Sequence, residues 1–151
     1  YKATQLGHSP QVILSGRKVN DAMSIFIGEK LIRLLENNAK PIQGARVLLL
    51  GVTFKENCPD IRNSKVFEIV NYLKNKGMHL SVFDPFANAQ EVAEKQGLKL
   101  TTHLETYDAI VITVAHQFFT SLDYKKLKNS EDAVLFDTKS LLDKKIVTAR
   151  L

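Results

Sequence analysis

Lys55, Glu56, Asn57, Asp60, Arg62 and Asn63 crowd into the stretch KENCPDIRN. An ammonium and a guanidinium this close are the groups that meet phosphate oxygens through charge-assisted hydrogen bonds. The same residues also make ordinary surface ion pairs, Arg62 with Asp60 for instance, and such pairs contribute little. The flanking sequence bears on the choice. Val47 to Leu50 is an apolar run that reads as a buried strand. Gly51 ends it where the backbone must turn, and a helix pattern resumes at Ser64, with Ser64 or Asn63 as candidate N-cap. A strand, a polar loop and a helix in that order place the loop beyond the strand's carboxyl end, where open α/β sheets hold ligands. Ordering so polar a loop costs free energy that a bound ligand would offset. Spacing alone leaves the ligand and ion-pair readings open.

Three more polar clusters project to the same end: Asp84-Pro85, Ala115-His116-Gln117 and Asp137-Thr138-Lys139. The dinucleotide fingerprint G-x-G-x-x-G is absent, because Gly51 is followed by Val-Thr-Phe-Lys. A pyrophosphate therefore finds no glycine cradle at the first turn. Side chains would have to meet it, and Lys55 and Arg62 are the candidates. His116 has two readings: an acid or base, since imidazole titrates near neutrality, or a residue that starts a helix or edges a substrate. One cysteine and four scattered histidines give no zinc-ligand spacing.

The elements that position these clusters alternate. Ser9-Pro10 starts a helix whose apolar residues Val12, Val19, Ala22, Met23, Phe26, Ile27, Leu31, Leu34 and Leu35 share helical spacing. At 1.5 Å per residue it runs on the order of 40 Å, about seven turns, and closes at Asn37-Asn38 and Pro41. Gly16 and Gly28 weaken it or admit another helix closely. Strand Val47 to Leu50 is followed by helix Lys65 to Lys76, with Gly77 as its left-handed terminator. Strand His79 to Phe83 ends at Asp84-Pro85, and helix Ala89 to Gln96 stops at Gly97. Leu98 to Leu100 reads as a short strand, and Ala109 to Val114, the most apolar run, as the central one. Helix Phe118 to Leu127, strand Ala133 to Phe136 and a tail after Asp137 complete the pattern. The fold expected is an α/β, Rossmann-like doubly wound parallel sheet of about five strands, preceded by a long linking helix.

Composition limits the function classes. The 151 residues suffice for one domain with a core and an appended helix. Hydrophobic content of 44% and charged content of 25% are ordinary for a globular protein. The net charge of +5 is dispersed, with no aromatic-interleaved basic stripe, so nucleic acid is not the expected partner. Phosphate-bearing small ligands suit such a surface. No apolar run approaches the ~18 residues of a membrane span, and no signal peptide is visible. The single Cys58 excludes an internal disulfide framework and fits a reducing cytoplasm. A start at Tyr1 without methionine is that of a fragment or a processed chain.

GVTFKENCPDIRNS resembles the signature loop in the C-terminal domain of the UDP-glucose/GDP-mannose dehydrogenase family. VILSGRKVND, Val12 to Asp21, resembles the segment opening that family's long central helix. The spacing between the blocks also matches, and the resemblance covers essentially the whole chain. The FKENCPDIRN spelling is most similar to bacterial members that oxidise UDP-N-acetylhexosamines for surface polysaccharides. The resemblance implies NAD-dependent oxidation of a nucleotide sugar's C6 hydroxyl to a carboxylate, by two hydride transfers through a cysteine thioester and then hydrolysis.

It further implies that residues 1–40 are the central linking and dimerisation helix and 41–151 the UDP-sugar-binding domain. Lys55, with Phe54 beside it, would reach the substrate, and Arg17 the substrate sugar of a neighbouring subunit. Arg62 would cross the cleft towards NAD. Asp84-Pro85 corresponds to a recurring turn-shaping pair. Lys139 stands where the family often has arginine, keeping the charge but not the planar fork. Cys58 is not the family's catalytic cysteine, which belongs to a glycine-rich motif upstream. The chain thus holds no catalytic residue, would be inert alone, and would leave NAD mainly to an N-terminal domain. Alone it would bind UDP weakly, with half the cleft missing and the loop not pre-organised. The rival reading is a stand-alone α/β nucleotide-binding or regulatory module without catalysis. The helix, too long for its own domain to cover, and the missing methionine weigh against it.

Overall fold

The computed structural model describes residues 11–151, with side chains from residue 22 onward. Ser9-Pro10 lies outside the described residues, as do the side chains of Val12, Arg17 and Val19 and the surroundings of Gly16. The elements are α1 (Gln11–Asn37), β1 (Arg46–Leu50), α2 (Val66–Asn75), β2 (His79–Phe83), α3 (Ala89–Gln96) and β3 (Ala109–Ile112). A 3-10 helix (Gln117–Ser121), α4 (Tyr124–Leu127), β4 (Val134–Asp137) and β5 (Ala149–Arg150) follow.

The strands form one five-stranded sheet in the order β2-β1-β3-β4-β5. Every neighbouring pair is parallel. In this doubly wound order the connections diverge between β1 and β3, which opens a crevice at their carboxyl ends. The most apolar run does form the middle strand, because β3 is covered on both faces. Val47, Leu49, Val111 and Phe136 face one core layer with Ile27, Leu31, Leu35, Ile69, Leu73 and Val92 of the helices. Leu48, Leu50, Ile110, Ile112 and Leu135 face the other, closed by Tyr107, Phe119, Tyr124 and Leu127. Burial on both sides is why β1, β3 and β4 read as continuous rather than alternating apolar runs.

Three elements differ from expectation. Leu98 to Leu100 forms no strand; Leu98 and Leu100 are buried, but only the next residue reaches the sheet, through Thr101 N–H to the Val82 carbonyl at 2.8 Å. The fifth strand is instead β5, two residues of the supposed tail, which pair with Phe136 and Asp137. The helix expected over Phe118 to Leu127 is broken into the 3-10 turn and α4, because Leu122 is extended (ψ 141°) and Asp123 restarts the helix by capping the Lys126 N–H. Neither Ser64 nor Asn63 occupies the N-cap of α2. Lys65 does, although Ser64 Oγ accepts the Val66 N–H at 3.4 Å.

The second half of α1 is built into the domain. Ile27, Leu31 and Leu35, at helical spacing, are buried in the same core as β1. Full burial of each such side chain contributes about 1.5–3 kcal/mol. Gly28 permits the close approach of α2, since a Cβ there would lie 2.4 Å from the Tyr72 ring. The apolar stripe expected to face a second helix therefore divides. Ile27 serves its own domain, whereas Met23 and Phe26 of the stripe, with Ile25 beside them, stay exposed at 40%, 47% and 50%.

Candidate functional site

A cleft of about 290 Å³ opens at the carboxyl ends of β1 and β3, between the loop after β1, α1 and the start of α2. Met23, Ser24 and Ile27 form its α1 wall, and Ser64, Lys65 and Val66 its α2 wall. Thr53, Phe54, Lys55 and Glu56 line it from the loop, Thr113 to Ala115 from beyond β3, and Lys139 from beyond β4. Of the expected site residues, Phe54 and Lys55 are thus brought to the cleft. The Lys55 ammonium lies 5.7 Å from the Phe54 ring centroid and has no hydrogen bond or ion pair among the described residues. Phe54 is 53% exposed, an apolar surface presented beside that charge.

Arg62 does not line the cleft. It is exposed and bidentate to Asp60, Nε to Oδ1 at 2.9 Å and one terminal nitrogen to Oδ2 at 2.8 Å. The hydrogen bonds from Arg62 hold the Asp60 carboxyl down at about 2. The ion pair anticipated as the alternative reading is therefore present, and it leaves the outer face of the guanidinium free to water. The side chain of Arg17 lies outside the described residues.

Lys139 joins the cleft because Asp137 shapes the turn that carries it. Asp137 is fully buried, and its Oδ1 and Oδ2 accept the N–H groups of Lys139 (3.0 Å) and Leu142 (2.9 Å). Thr138 Oγ donates to the Ile112 carbonyl at 2.7 Å, fixing the same turn to β3. Three lysines, Lys55, Lys65 and Lys139, thereby line one concave surface whose described carboxylate is Glu56. Such a surface attracts phosphates.

The loop after β1 is ordered from within, contrary to the expectation that it lacks pre-organisation. Phe54 N–H donates to the Asp60 carbonyl at 2.7 Å, closing the loop on itself. Asp84 anchors its first residues: Oδ2 accepts Val52 N–H (2.7 Å) and Thr53 N–H (3.2 Å). Its Oδ1 accepts the N–H groups of Phe86 and Ala87 at 2.8 and 3.0 Å, so the Asp-Pro pair shapes the turn after β2 as expected. His116, fully buried, lies at the N-cap of the 3-10 helix, the helix-start role that the sequence offered it. Its Nε2 is 3.1 Å from both Asp84 Oδ2 and Thr53 Oγ, and its Nδ1 accepts the Asn57 N–H at 2.8 Å.

Sequence reasoning missed Asn57 as an anchor. The available signal was its residue type, because Asn57 (φ 54°) and Asn63 (φ 60°) take the left-handed conformation that asparagine tolerates best outside glycine.

The turn after β1 lacks the glycine fingerprint of a dinucleotide cradle. Gly51 (φ 99°) serves the β1–β3 contact instead, since a Cβ there would lie 2.5 Å from Val114 Cβ. Among the described residues no group of three or more His, Cys, Asp or Glu side chains could hold a metal ion. Cys58 is a free, half-buried thiol. No described helix is long and apolar enough to cross a membrane.

Comparison with known proteins agrees with the fold. The chain is 39% identical over 148 residues to UDP-N-acetyl-D-glucosamine 6-dehydrogenase of Pseudomonas aeruginosa, covering 95% of itself and 35% of that protein. It is 35% identical over 146 residues to the Salmonella typhi enzyme of the same name, covering 94% and 34%. It thus spans about a third of the length of these curated relatives. Among solved structures it matches the NDP-N-acetyl-D-galactosaminuronic acid dehydrogenase of Methanosarcina mazei Go1 (TM-score 0.76, 27% identity), covering 85% of itself and 27% of that chain. The fold also matches a UDP-D-ManNAc dehydrogenase from Pyrococcus horikoshii, with TM-score 0.77, 21% identity and coverage of 98% and 35%. Residues 48–144 match the UDP binding domain of the UDP-glucose/GDP-mannose dehydrogenase family, and the chain belongs to that family.

Proposed function

We propose that this chain is the substrate-binding C-terminal part of an NAD-dependent nucleotide-sugar 6-dehydrogenase that oxidises a UDP-sugar to a UDP-uronic acid in surface polysaccharide biosynthesis. The observation that carries the reading is the cleft at the β1–β3 switch point, lined by the unpaired ammonium groups of Lys55 and Lys139 with Phe54 beside them. Charge-assisted contacts from the lysines suit the diphosphate, and Phe54 offers an aromatic face to the nucleoside. Residues 41–151 are the UDP-sugar-binding domain, and 1–40 the linking element, whose second half docks on it. NAD is held mainly by residues outside this chain, with Arg62 reaching towards it, and Arg17 serves a neighbouring subunit's sugar. The chain alone is inactive. It works as a cytoplasmic homodimer joined through α1, a reading supported by the exposed Ile25 and Phe26.

Calorimetric titration tests the reading directly. UDP or UDP-N-acetylglucosamine should bind the 151-residue chain, and NAD should bind no better than other phosphates. NAD clearly outcompeting UDP would reverse the assignment.

A further inference from the structure

The hydrogen bonds around His116 admit one protonation pattern. A backbone N–H only donates, so the Asn57 N–H at 2.8 Å requires a lone pair on Nδ1. Thr53 Oγ gives its proton to the Lys55 carbonyl at 2.9 Å and is left to accept. Asp84 Oδ2, already taking the Val52 and Thr53 N–H groups, is an acceptor as well. Both neighbours of Nε2 accept, so the imidazole proton sits on Nε2. Phe86 covers the ring at 4.7 Å between centroids and Phe119 packs edge-on at 5.2 Å. With both nitrogens engaged and the ring fully buried, His116 has no atom left to touch a substrate. The acid–base reading of this histidine is set aside on that ground.

The same ring grips two points of the loop. Thr53 meets Nε2 and Asn57 meets Nδ1, and between them lie Phe54, Lys55 and Glu56, all at the cleft. Asn57 is held a second time, because its Oδ1 accepts the Gln117 N–H at 3.1 Å. We propose that His116 is a positioning residue for nucleotide binding: as the Nε2–H tautomer it clamps both ends of the Phe54–Glu56 segment and so fixes where Lys55 meets a diphosphate. The inference rests on the cleft being the nucleotide site. Without the Nδ1 contact, the Asn57 end would keep only the Gln117 N–H, while Asp84 still held the Thr53 end.

Two conservative variants of the 151-residue chain separate this role from simple core packing. His116→Asn keeps an acceptor near the Nδ1 position, and His116→Gln keeps a donor near Nε2 but abandons Asn57. UDP-N-acetylglucosamine affinity, by calorimetry, should fall about tenfold in His116→Gln, the worth of one hydrogen bond, and stay within about threefold in His116→Asn. Urea denaturation should show both variants losing similar stability. Affinities that are equal in the two variants, or that merely track stability, overturn the proposal. A second measurement needs neither a variant nor a ligand. Nitrogen-15 spectra of the wild-type chain should show a protonated Nε2, a bare Nδ1 and a slowly exchanging Asn57 amide. A protonated Nδ1 or a fast Asn57 amide overturns it equally. If the wild type binds neither UDP nor UDP-N-acetylglucosamine, the proposed function falls. The clamp itself then stands or falls on the nitrogen spectrum and the Asn57 amide.

Discussion

Asp84 Oδ2 accepts the N–H of Val52 at 2.7 Å, joining the turn after β2 to the loop after β1 across the edge of the sheet. Burial pushes the Asp84 carboxyl up, but the hydrogen bonds from His116 and from the Val52 and Phe86 N–H groups outweigh it, and the net shift is downward from 3.8. A depressed carboxyl stabilises the fold above its unfolded value and loses that stabilisation as pH falls through the folded one. Stability should therefore drop below about pH 4. Asp84→Asn should flatten that part of the profile, and Asp84→Ala should cost about 2–4 kcal/mol at neutral pH by stranding buried N–H groups. Urea denaturation from pH 7 down to pH 2.5 reads both effects.

Gly51 and Gly44 both have positive φ, 99° and 79°, but only Gly51 is crowded. Gly44→Ala should cost about 1 kcal/mol, from backbone conformation alone. Gly51→Ala should cost clearly more, about 3 kcal/mol or beyond, because its Cβ must also displace Val114. Equal midpoints in chemical denaturation would contradict the close β1–β3 contact.

Lys55→Ala and Lys139→Ala should each weaken UDP binding by about 10- to 150-fold, the worth of a charge-assisted hydrogen bond of roughly 1.5–3 kcal/mol. Neither lysine has an ion-pair partner among the described residues, so melting temperatures should hardly move. A variant that melts early but binds normally would make the loop a scaffold.

Arg62 is paired with Asp60 at the surface, and the pair should contribute little to folding. On the proposed function, Arg62→Ala in the full-length enzyme should chiefly raise the KM for NAD, whereas Lys55→Ala should chiefly disturb the nucleotide sugar. Steady-state kinetics with each substrate varied tells the two apart.

Phe26 and Ile25 leave an apolar surface on α1 that the domain does not cover. Sedimentation at micromolar concentration should show a dimer, and Phe26→Glu should weaken it by about 30- to 1,000-fold, the loss typical of a central aromatic anchor. A wild-type monomer would remove the helix-mediated dimer.

Local chemistry made much of this protein legible in advance. Strand β1 follows from a continuous apolar run, and the ends of β1, β2 and α3 from Gly51, Asp84-Pro85 and Gly97, each of which acts within a few residues of itself. Lys55 stood out for the same reason: an ammonium in a loop directly beyond a strand. Pairing decided the rest. Two residues, Ala149 and Arg150, carry too little pattern to announce a strand, and they become one only because β4 offers a free edge. Leu98 and Leu100 alternate like a strand yet supply side chains to the core without a ladder. The helical spacing of α1 could not say which apolar residues its own domain would take, and the sheet's position assigned it Ile27, Leu31 and Leu35 while leaving Phe26 outside. His116, Asp84 and Asn57 are separated along the chain by tens of residues and meet only because β1, β2 and β3 are neighbours in the sheet. Hydrogen bonds among them depend on distances of a few tenths of an ångström, which the fold sets and no run of residues encodes locally.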